Sequence, residues 1–210
     1  MRCIILANGE YGELGAYKDI FENSDTILCA DGGANYAFQM GIIPDSVIGD
    51  LDSVRPEVRK YYTAQGVEFI QYPVHKDRTD LQLTMDLARE RGADQIVVLG
   101  GLGKRLDHTL HSLYAGIALV RQGIRVSHYT PECWVYLVGN EQVIEGTAGD
   151  IVSLIALTDR VEGAGVDGFE YSLKDPVLRS DIPYAVSNVL TGARGVIGLQ
   201  TGILAVFHYF

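Results

Sequence analysis

Short apolar runs alternate with helical stretches through the first 125 residues. Buried strands are predicted at 2–7, 26–30, 46–49, 67–71 and 95–99. Between them apolar residues recur at helical spacing, most clearly over 80–91 (Leu81, Met85, Ala88). A second helix is predicted over 106–121, where Leu106, Leu110, Leu113, Tyr114 and Ile117 fall on one face. Strands alternating with helices specify βαβ units and a mainly parallel sheet, whose ligands bind beyond the carboxyl ends of the strands. After about residue 130 the helical period stops. Short β-rich runs follow at 133–138, 142–145, 150–157, 161–166, 185–190, 195–199 and 202–209, punctuated by Gly, Asp, Asn or Pro. The pattern is that of an antiparallel β-sandwich or barrel. The chain therefore reads as α/β: a mainly parallel α/β/α domain over 1–125, then an all-β domain over 126–210. The junction near 122–131 is short and poor in Ser and Gly, so the two domains are expected to pack together.

Composition adds exclusions. With 47% hydrophobic and 21% charged residues the chain is ordinary globular material. Its net charge of −10 repels phosphate backbones and anionic lipid, which argues against nucleic-acid and membrane partners. A small polyanion would need a local basic pocket or a bridging cation. No apolar run approaches the ~20 residues of a membrane span, and Asn8-Gly9-Glu10 ends the opening apolar stretch before a signal-peptide core forms. Cys3, Cys29 and Cys133 are far apart, without zinc spacing, and read as buried thiols of a reducing cytoplasm. The five histidines show no metal spacing, and only His108, beside Asp107, is placed near chemistry. Trp134 falls in an alternating strand and reads as core.

The aspartates of the first half carry the chemistry. Asp31 follows one predicted strand, Asp50 and Asp52 the next, Asp77 and Asp80 the next, and Asp107 the last. In a parallel sheet these positions share one rim. Each acid could cap a helix instead: Asp50 or Asp52 the helix near Pro56, Asp107 its own, while Thr79 and Gln82 fit a capping box. Capping does not explain why successive strand ends all carry acids, nor the Asp50/Asp52 pair. Crowded carboxylates repel one another unless a cation intervenes, and oxygen ligands without a His or Cys cluster select a hard ion such as Mg²⁺. Gly100-Gly101-Leu102-Gly103-Lys104-Arg105 adds amide donors and two cations for phosphate, although it matches neither the P-loop nor the dinucleotide fingerprint. In the second half, Gly168–Leu173 and Val186-Ser187-Asn188 offer an aromatic ring with hydroxyl and amide groups for a flat heterocycle.

Asp-Gly-Gly-Ala-Asn (31–35), Gly-Asp-Leu-Asp-Ser (49–53), Lys-Asp-Arg-Thr-Asp (76–80), Gly-Gly-Leu-Gly-Lys-Arg-Leu-Asp-His (100–108) and Ser-Asn (187–188) together resemble the thiamine pyrophosphokinases, in order and spacing. The resemblance spans nearly the whole chain, including its α/β-then-β division. It implies transfer of a diphosphoryl group from ATP to thiamine, giving thiamine diphosphate and AMP, by Mg²⁺-assisted in-line attack on the β-phosphorus. Asp50, Asp52 and Asp80 would be catalytic and, with Asp31, would hold the metal. Gly32, Lys76, Asp77, Thr79, Gly101, Gly103, Lys104, Arg105, Asp107 and His108 would join Asp31 at the nucleotide. Tyr171 (often Trp in animal relatives), Ser187 and Asn188 would contact the vitamin. The family implies a homodimer, with thiamine between the α/β domain of one subunit and the β domain of the other. Two rivals use the same rim: a metal-dependent nucleoside polyphosphate hydrolase with water as acceptor, and a non-catalytic nucleotide sensor. The hydrolase leaves the second-half groups without a role, and the sensor needs fewer carboxylates.

Overall fold

The computed structural model describes residues 1–173 and 176–210, which divide into two compact units. The first comprises Met1–Ala115 with His128–Pro131, and the second Gly116–Ser127 with Glu132–Phe210.

The first unit contains β1 (Arg2–Leu6), a 3-10 helix (Leu14–Ile20), β2 (Thr26–Ala30), α1 (Gly33–Gln39), β3 (Ser46–Gly49), α2 (Pro56–Ala64), β4 (Glu68–Gln71), α3 (Asp80–Glu90), β5 (Gln95–Leu99) and α4 (Leu106–Ala115). The strands run parallel in the order β5-β1-β2-β3-β4. Burial is near-continuous in β1, β3 and β5, complete from Cys3 to Leu6 and from Ile96 to Leu99, as in strands covered on both faces, whereas edge strand β4 is exposed at both ends. Helices α1 and α2 pack together, as do α3 and α4. Because the chain winds outward from β1 to β4 and returns to β5 on the far side of β1, the order reverses at β1, where open α/β sheets bind ligands. Register keeps the carboxyl ends level: Leu6 pairs with both Cys29 and Leu99, Cys29 with Val47, and Val47 with Phe69.

The second unit holds α5 (Ile117–Val120) and most of the remaining strands: β6 (Arg125–Thr130), β7 (Cys133–Val138), β8 (Glu141–Glu145), β9 (Ile151–Ala156), β10 (Arg160–Val161), β11 (Gly165–Asp167), β12 (Leu178–Arg179), β13 (Asn188–Val189), β14 (Arg194–Gly198) and β15 (Leu204–Tyr209). Strand β6 straddles the division between the units. Antiparallel sheets β13-β9-β15-β7 and β11-β14-β8 share one core containing Ile144, Val152, Leu154, Ile197 and Val206. Two sheets over one core make a sandwich rather than a barrel.

The structure departs from expectation at four places. The helix over 106–121 is interrupted at Gly116, where an added Cβ would press on the methyl ends of Leu137 and Val126. Of its apolar face Leu113 is buried, whereas Leu106, Leu110 and Tyr114 are 78%, 58% and 52% exposed. Strand β6 lies where a plain junction was expected, because polar Ser127 and His128 occupy buried strand positions and hide the pattern. The strands expected at 161–166 and 185–190 shorten. A turn divides the first, and the left-handed backbone of Ser187 (φ 59°) confines the second to Asn188–Val189.

Candidate active site

The acids at the sheet's carboxyl edge are held by strained and tightly packed turns. Asp31 adopts a left-handed backbone (φ 46°) directly after β2, and its Oδ1 accepts from the Ser53 amide at 3.4 Å. The glycines behind it are close-approach positions: a Cβ on Gly33 would lie 2.0 Å from the Leu6 carbonyl oxygen. After β3, Leu51 turns its side chain into the core from another left-handed backbone (φ 66°). Asp50 Oδ1 accepts from the Asp52 amide at 3.2 Å, and Asp52 Oδ1 accepts from Ser53 Oγ at 3.0 Å. One carboxylate oxygen from each of Asp31, Asp50 and Asp52 can be chosen so that all lie within 4.8 Å of one another.

Capping accounts for one residue of the rim and not for the acids. Helix α2 begins at Arg55-Pro56 with no side-chain cap, so neither Asp50 nor Asp52 serves it. Helix α3 does carry the reciprocal Thr79/Gln82 capping box, which leaves Asp80, in the first turn, for other duties. Gly49 (φ 148°) makes room for it, because a Cβ there would sit 2.9 Å from Asp80 Cγ and 3.0 Å from Asp31 Cβ. Asp80 Oδ1 is buried, and the charge that faces it is Lys76 Nζ at 2.9 Å. Burial raises the Asp31 carboxyl above the ordinary range, and the charge of Asp80 adds to it against opposing hydrogen bonds from Gly32 and Ser53.

These acids line a cavity of about 560 Å³ with Thr79, Gly101, Gly103, Lys104, Arg105 and His108, a size typical of small-ligand sites. Of the residues expected at a nucleotide, Gly32, Lys76, Asp77 and Asp107 lie outside this lining. Two amides of the glycine loop are already engaged: Gly103 donates to Thr109 Oγ1 (3.0 Å) and Lys104 to Glu10 Oε2 (3.2 Å). Arg105 and Asp107 form an exposed ion pair, and the guanidinium holds the Asp107 carboxyl down to about 2. Asn8, Gly9, Ser53 and His111 also line the cavity and were missed. Asn8 and Gly9 had a signal, since they follow β1 as Asp31 follows β2. His128, outside that lining, is fully buried against Gly101 with both ring nitrogens unpaired, and burial lowers its pKa to about 4.

In the second unit the structure brings Tyr171, Ser187 and Asn188 together. The Asn188 amide clamps the Tyr171 backbone, Oδ1 accepting from its N–H (3.0 Å) and Nδ2 donating to its carbonyl (2.7 Å). Ser187 donates its amide to Ser153 Oγ at 2.9 Å. Tyr171 is 59% exposed, so its ring is open to a ligand.

Fold and rim define an α/β protein with an acidic, ligand-sized basin at the carboxyl edge of a parallel sheet, carrying a separate β-sandwich unit. Residues 17–128 match the family model described as "Thiamin pyrophosphokinase, catalytic domain". The chain is 28% identical over 181 residues to thiamine pyrophosphokinase of Bacillus subtilis (strain 168), covering 85% of this chain and 84% of that protein. It is 31% identical over 132 residues to thiamine pyrophosphokinase 1 of Oryza sativa subsp. japonica, covering 53% of this chain and 49% of the rice protein. The crystal structure of the B. subtilis thiamine pyrophosphokinase superposes with a TM-score of 0.85 at 25% identity, covering 100% of this chain and 99% of that one. The thiamin pyrophosphokinase of Geobacillus thermodenitrificans shares the fold, with a TM-score of 0.86 at 21% identity and coverage of 100% and 98%. The chain belongs to the thiamine pyrophosphokinase family. As a member it is a kinase-type transferase.

Proposed function

We propose that the chain transfers the diphosphoryl group of ATP to the hydroxyl of thiamine, giving thiamine diphosphate and AMP. The observation that supports the reading, beside family membership, is the convergence of Asp31, Asp50 and Asp52 within 4.8 Å at the sheet's carboxyl edge. The donor set fits magnesium: every donor is a carboxylate oxygen, and Gly49 leaves space for a further acid, Asp80, beside Asp31. Bound there, Mg²⁺ supplies positive charge to the phosphate oxygens and withdraws electron density from the β-phosphorus.

The chain's own residues position the reactants. Asp31, Asp50 and Asp52 hold the metal face of ATP, with Asp80 completing the acidic wall. Lys104 and Arg105, which also line the cavity, supply positive charge toward the phosphates. The thiamine hydroxyl oxygen forms a bond to the β-phosphorus in line with the leaving oxygen. The bond from that phosphorus to the bridging oxygen of the α-phosphate breaks, its electron pair leaving with AMP. Asp80 positions the hydroxyl and takes its proton. Tyr171 offers its ring to the vitamin, Ser187 a hydroxyl, and Asn188 fixes the Tyr171 backbone through its two hydrogen bonds.

The working form in this reading is a cytoplasmic homodimer, with the vitamin between the α/β domain of one subunit and the β domain of its partner. Leu106, Leu110 and Tyr114 on α4, and Ile151, Ile155, Tyr209 and Phe210 in the sandwich unit, are large apolar side chains left exposed in the single chain, as a partner surface requires. Among the described residues no helix is long and apolar enough to cross a membrane. Incubation with ATP, Mg²⁺ and thiamine, followed by identification of the nucleotide product, tests the proposal. AMP formed only with thiamine present is expected. ADP, or ATP consumption indifferent to thiamine, would overturn it in favour of a simple kinase or a hydrolase.

A further inference from the structure

Lys76 is not a loose surface cation. Its ammonium lies 2.9 Å from Asp80 Oδ1 and 3.6 Å from Asp50 Oδ2, and it donates to the Pro73 carbonyl at 3.1 Å. The ammonium thus faces two carboxylates and one carbonyl. The side chain is 14% exposed and that of Asp50 13%, and the capping box one turn onward fixes the start of α3 beside it. Asp50 is thus shared. One of its oxygens faces Lys76, the other accepts from the Asp52 amide, and the residue also belongs to the Asp31/Asp50/Asp52 group. A carboxylate bridging two neighbouring cation positions is how two-metal phosphoryl-transfer sites are laid out. Here the position between Asp50 and Asp80 already holds a tethered charge.

We infer that Lys76 is the second cation of the site: its ammonium takes the place of a second divalent ion between Asp50 and Asp80, so that Asp31, Asp50 and Asp52 hold a single metal ion. The inference rests on the magnesium reading above. It makes Lys76 a positioning residue that keeps Asp50 and Asp80 together before metal arrives and adds positive charge beneath the phosphates. Lys76 itself lies outside the cavity lining, while Asp50 and Asp80 lie in it.

Counting bound Mn²⁺ by electron paramagnetic resonance on the nucleotide-free protein tests the inference. Wild type and Lys76→Arg, which keeps the charge, are expected to bind one ion per chain. Lys76→Met and Lys76→Gln are expected to bind two, with the dependence of turnover on Mn²⁺ steepening from first to second order. Two ions in the wild type, or one ion in both neutral variants, would overturn the role of Lys76 and leave the magnesium reading standing. No ion in any of the four proteins would remove the magnesium reading and this inference with it.

Discussion

Asp52 offers an oxygen to the acidic group and accepts from Ser53 Oγ, yet caps no helix, so its charge serves the site more than the fold. Asp52→Asn is expected to lower turnover by about two or more orders of magnitude, the scale of losing one preorganised electrostatic contact. Its circular dichroism and melting temperature should be nearly unchanged. A near-normal rate would remove Asp52 from the site. His128 governs stability instead. Its pKa falls to about 4 in the folded chain, because burial disfavours the imidazolium, against about 6.5 when unfolded. Between those values the unfolded chain binds the proton more readily. The neutral ring's contribution is therefore intact above about pH 6.5 and is lost as pH falls toward 4. From pH 7.5 to 5 this one group should cost about 2 kcal/mol. Urea unfolding of wild type and His128→Leu at both pH values checks it: the wild type should lose that much more than the variant. Equal losses would show that His128 does not titrate between the two states.

At the scale of elements, the turns are the sensitive parts. Gly33→Ala would drive a methyl group against the Leu6 carbonyl that closes β1, and is expected to destabilise by about 1–3 kcal/mol or more in denaturant unfolding. Thr79→Ala, losing the capping box of α3, should cost about 1 kcal/mol. The sequence foretold the parallel strands within a residue or so because each carries a compact apolar stretch, and it foretold acids after them because polarity there is abrupt. It concealed β6, where Ser127 and His128 stand buried among apolar neighbours. It also concealed the glycine-loop amides taken by Glu10 and Thr109, since Glu10 lies 94 residues from Lys104 in the chain. Engagement of that kind is a tertiary fact with no local signal. The bridge from Lys76 to Asp50 was hidden for the same reason, although Lys76-x-x-x-Asp80 has the spacing of neighbours on a helix.

For the whole molecule, the two units are separately intelligible: an acidic rim at the carboxyl edge of a parallel sheet and a sandwich that presents Tyr171. Joining them across a dimer predicts a solution mass of twice the chain by light scattering. Leu110→Asp, at an exposed position on α4, should shift the protein toward monomer while leaving its helix content unchanged. A monomeric wild type would contradict the shared-site arrangement. The most direct test of the central claim is a crystal structure grown with Mn²⁺ and an unreactive ATP analogue, read by manganese anomalous scattering. The account predicts one peak, about 2.0–2.2 Å from carboxylate oxygens of Asp31, Asp50 and Asp52, with Lys76 still between Asp50 and Asp80. A well-bound nucleotide whose metal touches none of those three acids would contradict it.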